Sequence, residues 1–333
     1  MTIELLLPPE NQLQTLSVSL DEAGSALHLP GIITNSGPHA PERFLEFFTV
    51  TIRNTNTRRA YLRQVMQFLT WCEARGVYEL AAVRPMMVAA YIEQHPAQAQ
   101  TVKQSLAAIR MLYDWLVTGQ IVPVNPAASV RGPAYSYKRG KTPVLPREDA
   151  RTLLESIESG HVVGLRDRAL IGLMVYSFAR VGAATGMRVS DYYQNGKRWW
   201  LRLHEKGGKF HEVPVHHAAE EYIDAYLDAA GIRVEPKTPL FRTTRGQSRT
   251  LTANGLQERE ALYMIKRRAQ DAGLSPEICC HTFRATGITA YLENGGTIEN
   301  AQAIAAHESP RTTKLYDRRN DQISLSEIER IAL

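Results

Sequence analysis

The stretch His281-Thr282-Phe283-Arg284, followed downstream by His307-Glu308-Ser309-Pro310-Arg311-Thr312-Thr313-Lys314-Leu315-Tyr316, decides how this chain of 333 residues reads. Its apolar spacing predicts helices over about 281–293, 297–306 and 310–317. On the first of these, positions i and i+3 share a face, so a histidine and an arginine point into the same space. Pro310 suits the first turn of the last helix, where its missing N–H costs nothing. Tyr316 then lies on that short helix, nine residues past His307. Alone, each feature has an ordinary reading: a surface His/Arg pair, a structural histidine, a packing tyrosine.

Two upstream features change that reading. Arg180, in Phe178-Ala179-Arg180-Val181-Gly182, ends an apolar helix read as Arg168–Phe178 with Asp167 as its cap. A guanidinium there costs free energy unless its charge has a partner. Arg198–His204 (RWWLRLH) alternates, and Lys209–Val215 follows the turn Glu205-Lys206-Gly207-Gly208. Two extended runs joined through Gly-Gly predict a β-hairpin, and the glycines let its turn place the Lys206 ammonium beside a ligand.

Outward from the hairpin the chain is helical, over about 218–230 and 255–272. Nearer the N-terminus, Tyr61, Val65, Phe68, Leu69 and Cys72 fall on one helical face that Gly76 ends. Pro85 opens a second helix to about Gln94, and a third runs from about Thr101 to Thr118 with Val102, Leu106, Ile109, Tyr113 and Leu116 in phase. These helices predict a small all-α domain over 41–126. Residues 127–146 (AASVRGPAYSYKRGKTPVLP) hold three prolines, two glycines and four basic residues without helical period, and read as a linker. Residues 1–40 read as an arm, 147–320 as the second domain and 321–333 as a tail. Hydrophobic residues make up 44% and charged residues 22% of the chain, which fits globular domains and excludes a disordered polyelectrolyte. A net charge of +5 permits nucleic-acid binding without requiring it. Cys72, Cys279 and Cys280 make no disulfide framework or zinc quartet and fit a reducing, cytoplasmic setting; Cys279 and Cys280 read as small buried apolar groups. His204, His211, His216 and His217 crowd the hairpin but lack metal-ligand companions. No run approaches a membrane span.

Taken in order, Arg180, Lys206 in a hairpin turn, His281-x-x-Arg284, His307 and Tyr316 resemble the tyrosine recombinase (phage integrase) family. The resemblance covers about 46–318. It implies a mainly α fold with a small antiparallel β-sheet in a C-terminal catalytic domain, a helical N-terminal core-binding (DNA-binding) domain, and a two-domain clamp around DNA. Arg188, in Thr185-Gly186-Met187-Arg188-Val189-Ser190, offers a rival first arginine. Arg180 is preferred because it puts Met187 and Ser190-Asp191 where the family often has an apolar residue and Ser-Asp ahead of the sheet. The Arg188 register leaves too little chain before Lys206. The sequence departs from the family at Ala183, where an acid is usual, at Ala285, where His is frequent, and at Ala306, where Gly is usual. Another group must then orient Arg180.

The residue types suit attack on a phosphodiester, which builds negative charge. Arg180 and Arg284 can clamp the non-bridging oxygens in a geometry lysine cannot match. The Tyr316 phenol needs a proton acceptor, and His281 is the candidate base. By resemblance, Lys206 is the general acid for the leaving 5′ oxygen, with Lys209 next in line, and His307 donates a hydrogen bond to the phosphate. The intermediate is then a 3′-phosphotyrosyl link that stores the bond energy. Neither metal nor other cofactor is implied. Arg131, Lys138, Arg139 and Lys141 in the linker, and Lys266, Arg267 and Arg268 late in a helix, are expected DNA contacts. The implied partners are double-stranded DNA with inverted half-sites and further copies of the chain in a dimer and tetramer, with no membrane. The tail, with Leu325, Ile328 and Ile331 in near-helical phase, is expected to dock in its own domain or on the next protomer. Integrase and resolvase roles both fit. A type IB topoisomerase-like enzyme and a catalytically silent DNA-binding regulator are the alternatives.

Overall fold

The helix signals of the N-terminal third become helices with matching caps. The computed structural model describes residues 29–134, 140, 142–205, 210–246 and 248–317. They fall in two compact units divided between residues 136 and 137. In the first, α1 (Gly31–Thr34) and α2 (Ala40–Glu46) lead into α3 (Thr55–Glu73), α4 (Pro85–Glu93) and α5 (Ala99–Thr118). The Asn54 side chain caps α3 by accepting from the Thr57 N–H, and Pro85 stands at the first turn of α4. Val65, Phe68, Leu69 and Cys72 of α3 meet Val102, Leu106, Ile109, Tyr113 and Leu116 of α5 in one apolar core.

Two boundaries differ from expectation. The arm does not extend to residue 40: Ile32 and Ile33 are fully buried in this core, and the Ile32 N–H donates to Glu73 Oε1 at 2.8 Å. The first linker residues also belong to the unit, because Ala127 and Val130 are buried and their carbonyls accept from Arg110. At the other end Leu145 enters the second core and donates its N–H to Thr286 Oγ1 at 2.9 Å. Between these anchors, within residues 131–144, the Gly140 N–H donates to the Leu315 carbonyl at 3.1 Å.

The second unit begins with α6 (Arg147–Ser156), α7 (Val162–Ser177) and the short α8 (Val181–Thr185). Helix α7 starts five residues before Asp167, with the His161 ring as its cap accepting from the Gly164 N–H at 3.1 Å. Asp167 is therefore no cap. It lies fully buried mid-helix, where Oδ1 accepts from Arg166 and Oδ2 from Arg268. A buried carboxylate needs such partners.

Strands β1 (Tyr192–Asn195), β2 (Arg198–His204) and β3 (Phe210–Pro214) form an antiparallel sheet in that order, with His204 opposite Phe210 as the last pair before the turn. Leu201, Leu203 and Val213 face the core. After α9 (His217–Ala230) the structure adds a second ladder, β4 (Arg242–Thr244) with β5 (Leu251–Gly255), where a single sheet was expected. Then come α10 (Glu258–Asp271), α11 (Cys280–Glu293), α12 (Ile298–Ile304) and α13 (Pro310–Lys314). Helix α7 packs on α8, α9 and α11 at the centre. Lys206, Lys209, Lys138, Arg139, Lys141 and the tail lie outside the described residues.

Candidate active site

Tyr316 sits two residues past α13 and is fixed from several sides. Ser309 caps α13, and the Tyr316 N–H donates to the Thr313 carbonyl at 2.9 Å. Its own carbonyl accepts from Thr289 Oγ1 of α11 at 3.1 Å. The ring is buried in a small apolar cluster with Phe178, Ala285, Ile288 and Ala305. It stacks nearly parallel on the His307 ring, at 8° with centroids 5.9 Å apart. The phenol oxygen lies 2.8 Å from His281 Nε2.

Helix α11 carries both halves of the His-x-x-Arg pair. Its first turn is held by the Cys279 N–H donating to Thr282 Oγ1 at 3.1 Å. One turn on, Arg284 is only 1% exposed. It donates to the Phe178 carbonyl and, at 2.6 Å, to the Ala305 carbonyl. Those acceptors come from two sharp exits. Phe178 ends α7 at φ +55°, and Ala306 follows α12 at φ +46°. The family's usual glycine before His307 is what a left-handed residue calls for. His307 is buried, with Nδ1 2.8 Å from Thr313 Oγ1.

Arg180 caps α8 in extended conformation, and its guanidinium pairs with Glu205, one residue beyond β2. The charge of Arg180 bears on His281, Arg284, His307 and Tyr316. Met187 is buried, and Asp191 accepts from the Arg188 N–H at 2.8 Å just ahead of β1.

The electrostatics follow from crowding two guanidinium groups around buried and partly buried rings. Burial, then Arg284 and Arg180, lowers the His281 pKa below its ordinary 6.5. The same causes, joined by His281, take His307 down to about 3. Burial and the Arg180 charge draw Arg284 down to about 10. Burial pushes the Tyr316 phenol up, while Arg284 and Arg180 pull it down. A neutral His281 beside a protonated phenol is the arrangement a proton acceptor needs.

Arg180, His281, Arg284, His307 and Tyr316, all expected from the sequence, come together here. Glu205, Thr289 and Thr313 were missed, because the partners that give them meaning, Arg180, Tyr316 and His307, meet them only in the fold. The other expected contacts divide. Arg131 is exposed. Lys266 donates to the Pro276 carbonyl, and Arg267 is 58% exposed. Arg268 is corrected: its side chain is 15% exposed and holds Asp167, a core role where DNA contact was expected. Of the hairpin histidines, His204 faces Asp191 Oδ1 at 3.2 Å, His211 meets the Ile304 carbonyl at 3.1 Å and His216 caps α9. No group of histidines, cysteines and carboxylates able to hold a metal occurs among the described residues. Cys280 is buried, whereas Cys279 is partly exposed.

A family model described as "Phage integrase family" matches residues 143–322, and one described as "Phage integrase, N-terminal SAM-like domain" matches 42–120. The chain belongs to the phage integrase family. A tyrosine recombinase XerD from Chlorobaculum tepidum is 28% identical over 286 residues, covering 83% of this chain and 90% of that protein. Among solved structures, a lambda integrase (75–356) dimer bound to a COC′ core site has a TM-score of 0.65 at 17% identity, covering 85% of this chain and 96% of that one. A lambda integrase tetramer bound to a Holliday junction has a TM-score of 0.62 at 18% identity, covering 87% and 82%. This phage integrase family member thus has the mainly helical, two-unit fold expected from its sequence and is a tyrosine recombinase. No described helix is long and apolar enough to cross a membrane.

Proposed function

We propose that this chain breaks and rejoins DNA at specific sites by attack of the Tyr316 phenol on a phosphodiester. The observation that carries this assignment is the 2.8 Å contact between Tyr316 Oη and His281 Nε2, with the charges of Arg180 and Arg284 acting on both. His281 takes the phenolic proton as the oxygen attacks phosphorus. Arg180 and Arg284 stabilise the charge that builds on the non-bridging oxygens, a contribution that is often the largest in such sites. His307 hydrogen-bonds the phosphate, and Lys206 protonates the departing 5′ oxygen. The 3′ end stays on Tyr316, so religation by an incoming 5′ hydroxyl needs no added energy source.

The DNA is a duplex carrying inverted half-sites, each gripped by the two units with Arg131, Lys138, Arg139, Lys141, Lys266 and Arg267 on phosphates, inside the cytoplasm. The recombining assembly is a tetramer built from two dimers. The DNA-bound dimer and tetramer of lambda integrase, at comparable fold similarity, support this reading. A duplex selected for binding from a random pool, rebuilt with a nick beside the scissile phosphate, provides the test. Wild-type protein should accumulate a covalent adduct. Tyr316→Phe should bind equally and form none. An adduct formed normally by Tyr316→Phe would remove Tyr316 from the reaction.

A further inference from the structure

Arg180 poses a question that family membership does not answer. An arginine meant to meet a phosphate must be held in place before the phosphate arrives, and the helix it caps offers no acid to do so. Three positions on stands Ala183, a buried methyl group. Arg180 also stands close enough to Arg284 for the two charges to oppose each other. With no counter-charge, repulsion would turn the more exposed of the two away. That one is Arg180, whose side chain is 42% exposed.

The structure supplies a counter-charge from another element. Arg180 NH1 donates to Glu205 Oε2, a partner 25 residues further along the chain. The Glu205 side chain is only 7% exposed. Its second oxygen, Oε1, is buried and accepts no hydrogen bond from any described residue. Such a carboxylate is a poor choice for stability, because burial of a half-satisfied charge costs more than a surface pair returns. Its root is firm. Glu205 directly follows β2, whose last residue, His204, is paired to Phe210 across the ladder and faces Asp191. Among the described residues the guanidinium gives up NH1 alone to Glu205, which leaves donors for a second anion.

We propose that Glu205 is a positioning residue for strand cleavage, holding the Arg180 guanidinium ready for the scissile phosphate in the role that the absent acid at Ala183 would otherwise fill. This rests on the proposed function of Arg180 as half of the phosphate clamp. Glu205 touches neither DNA nor the reacting atoms and acts through Arg180.

The test compares Glu205→Gln with wild type in single-turnover cleavage of the nicked duplex. Arg180→Ala and Lys206→Ala serve as references. Glu205→Gln should cleave at least ~10-fold more slowly, a fraction of what losing a charge-stabilising donor outright costs, with DNA affinity and thermal unfolding unchanged. Two altered substrates separate a positioning role from a structural one. A methylphosphonate at the scissile position removes the anionic oxygen that Arg180 would neutralise, so the gap to wild type should close there. A 5′-bridging sulfur relieves the need for a general acid, so it should rescue Lys206→Ala and leave Glu205→Gln slow. If Glu205→Gln lowers stability, the Arg180→Ala background decides: Glu205→Gln should slow it no further. Cleavage as fast as wild type, or faster because the carboxylate competes with phosphate, overturns the inference. So does rescue by sulfur rather than by methylphosphonate, or a full further loss in the Arg180→Ala background. Failure of the wild type itself to form an adduct would sink the proposed function and the inference together; equal adduct formation by both proteins sinks the inference alone.

Discussion

His307 shows how burial sets the charge of a single residue. It is buried, stacked on Tyr316 and bonded to Thr313, and its pKa falls to about 3 against an ordinary 6.5. Between those values the unfolded chain binds a proton that the native chain refuses. Stability therefore falls as pH drops from 6.5 towards 3. Denaturant unfolding at pH 7.5 and pH 5 should show this loss, and His307→Gln should lose less over the same interval. Equal slopes in the two proteins would mean that His307 is not the group held neutral. The neighbouring Ala306, at φ +46°, gives a second prediction. A side chain in the left-handed region costs roughly 1–2 kcal/mol, offset in part by the greater unfolded-state freedom of glycine. Ala306→Gly should raise stability by roughly 0.5–1 kcal/mol in denaturant unfolding with cleavage intact. A loss of stability would show that the exit from α12 carries no such strain.

At the scale of elements, α7 is the post around which the catalytic unit is built. Asp167 inside it collects Arg166 from its own helix and Arg268 from α10. Removing one partner of a buried pair costs about 3–5 kcal/mol, so Asp167→Ala should lower unfolding stability by roughly that amount, while Arg267→Ala, whose exposed guanidinium reaches Asp167 only at 3.9 Å, should change it by less than about 1 kcal/mol. Equal effects would refute a central role for Asp167. This network also explains what the sequence could not reveal. An aspartate ahead of an apolar run is a good helix cap in type, and the distant Arg268, together with Arg166, makes it tolerable inside. β1 and β4 span four and three residues, too short to establish an alternating pattern. β2 and β3 were legible because Leu201, Leu203 and Val213 alternate around a Gly-Gly turn. The histidine and arginine of α11 were legible for a related reason, since helical spacing alone puts 281 and 284 on one face. Glu205 was not, because its meaning depends on a pairing with Arg180 that forms only once the hairpin stands beside α8.

On the scale of the whole molecule, the proposed function requires both units to hold one duplex, with the chain between 131 and 144 along it. Protease cutting within that stretch should slow several-fold when target DNA is added. DNA affinity should drop steeply with salt as phosphate-bound counterions are released. Equal cutting rates with and without DNA would reject the clamp. Attack by Tyr316 would leave a covalent bond between its phenol oxygen and the 3′ phosphate of cut DNA. It is tested most directly by digesting the trapped adduct and locating the nucleotide by tandem mass spectrometry. A single modified peptide containing Tyr316 is expected, with the nucleotide attached through its 3′ phosphate and the 5′ hydroxyl free on the released strand. Attachment to any other residue, or through a 5′ phosphate, would contradict it.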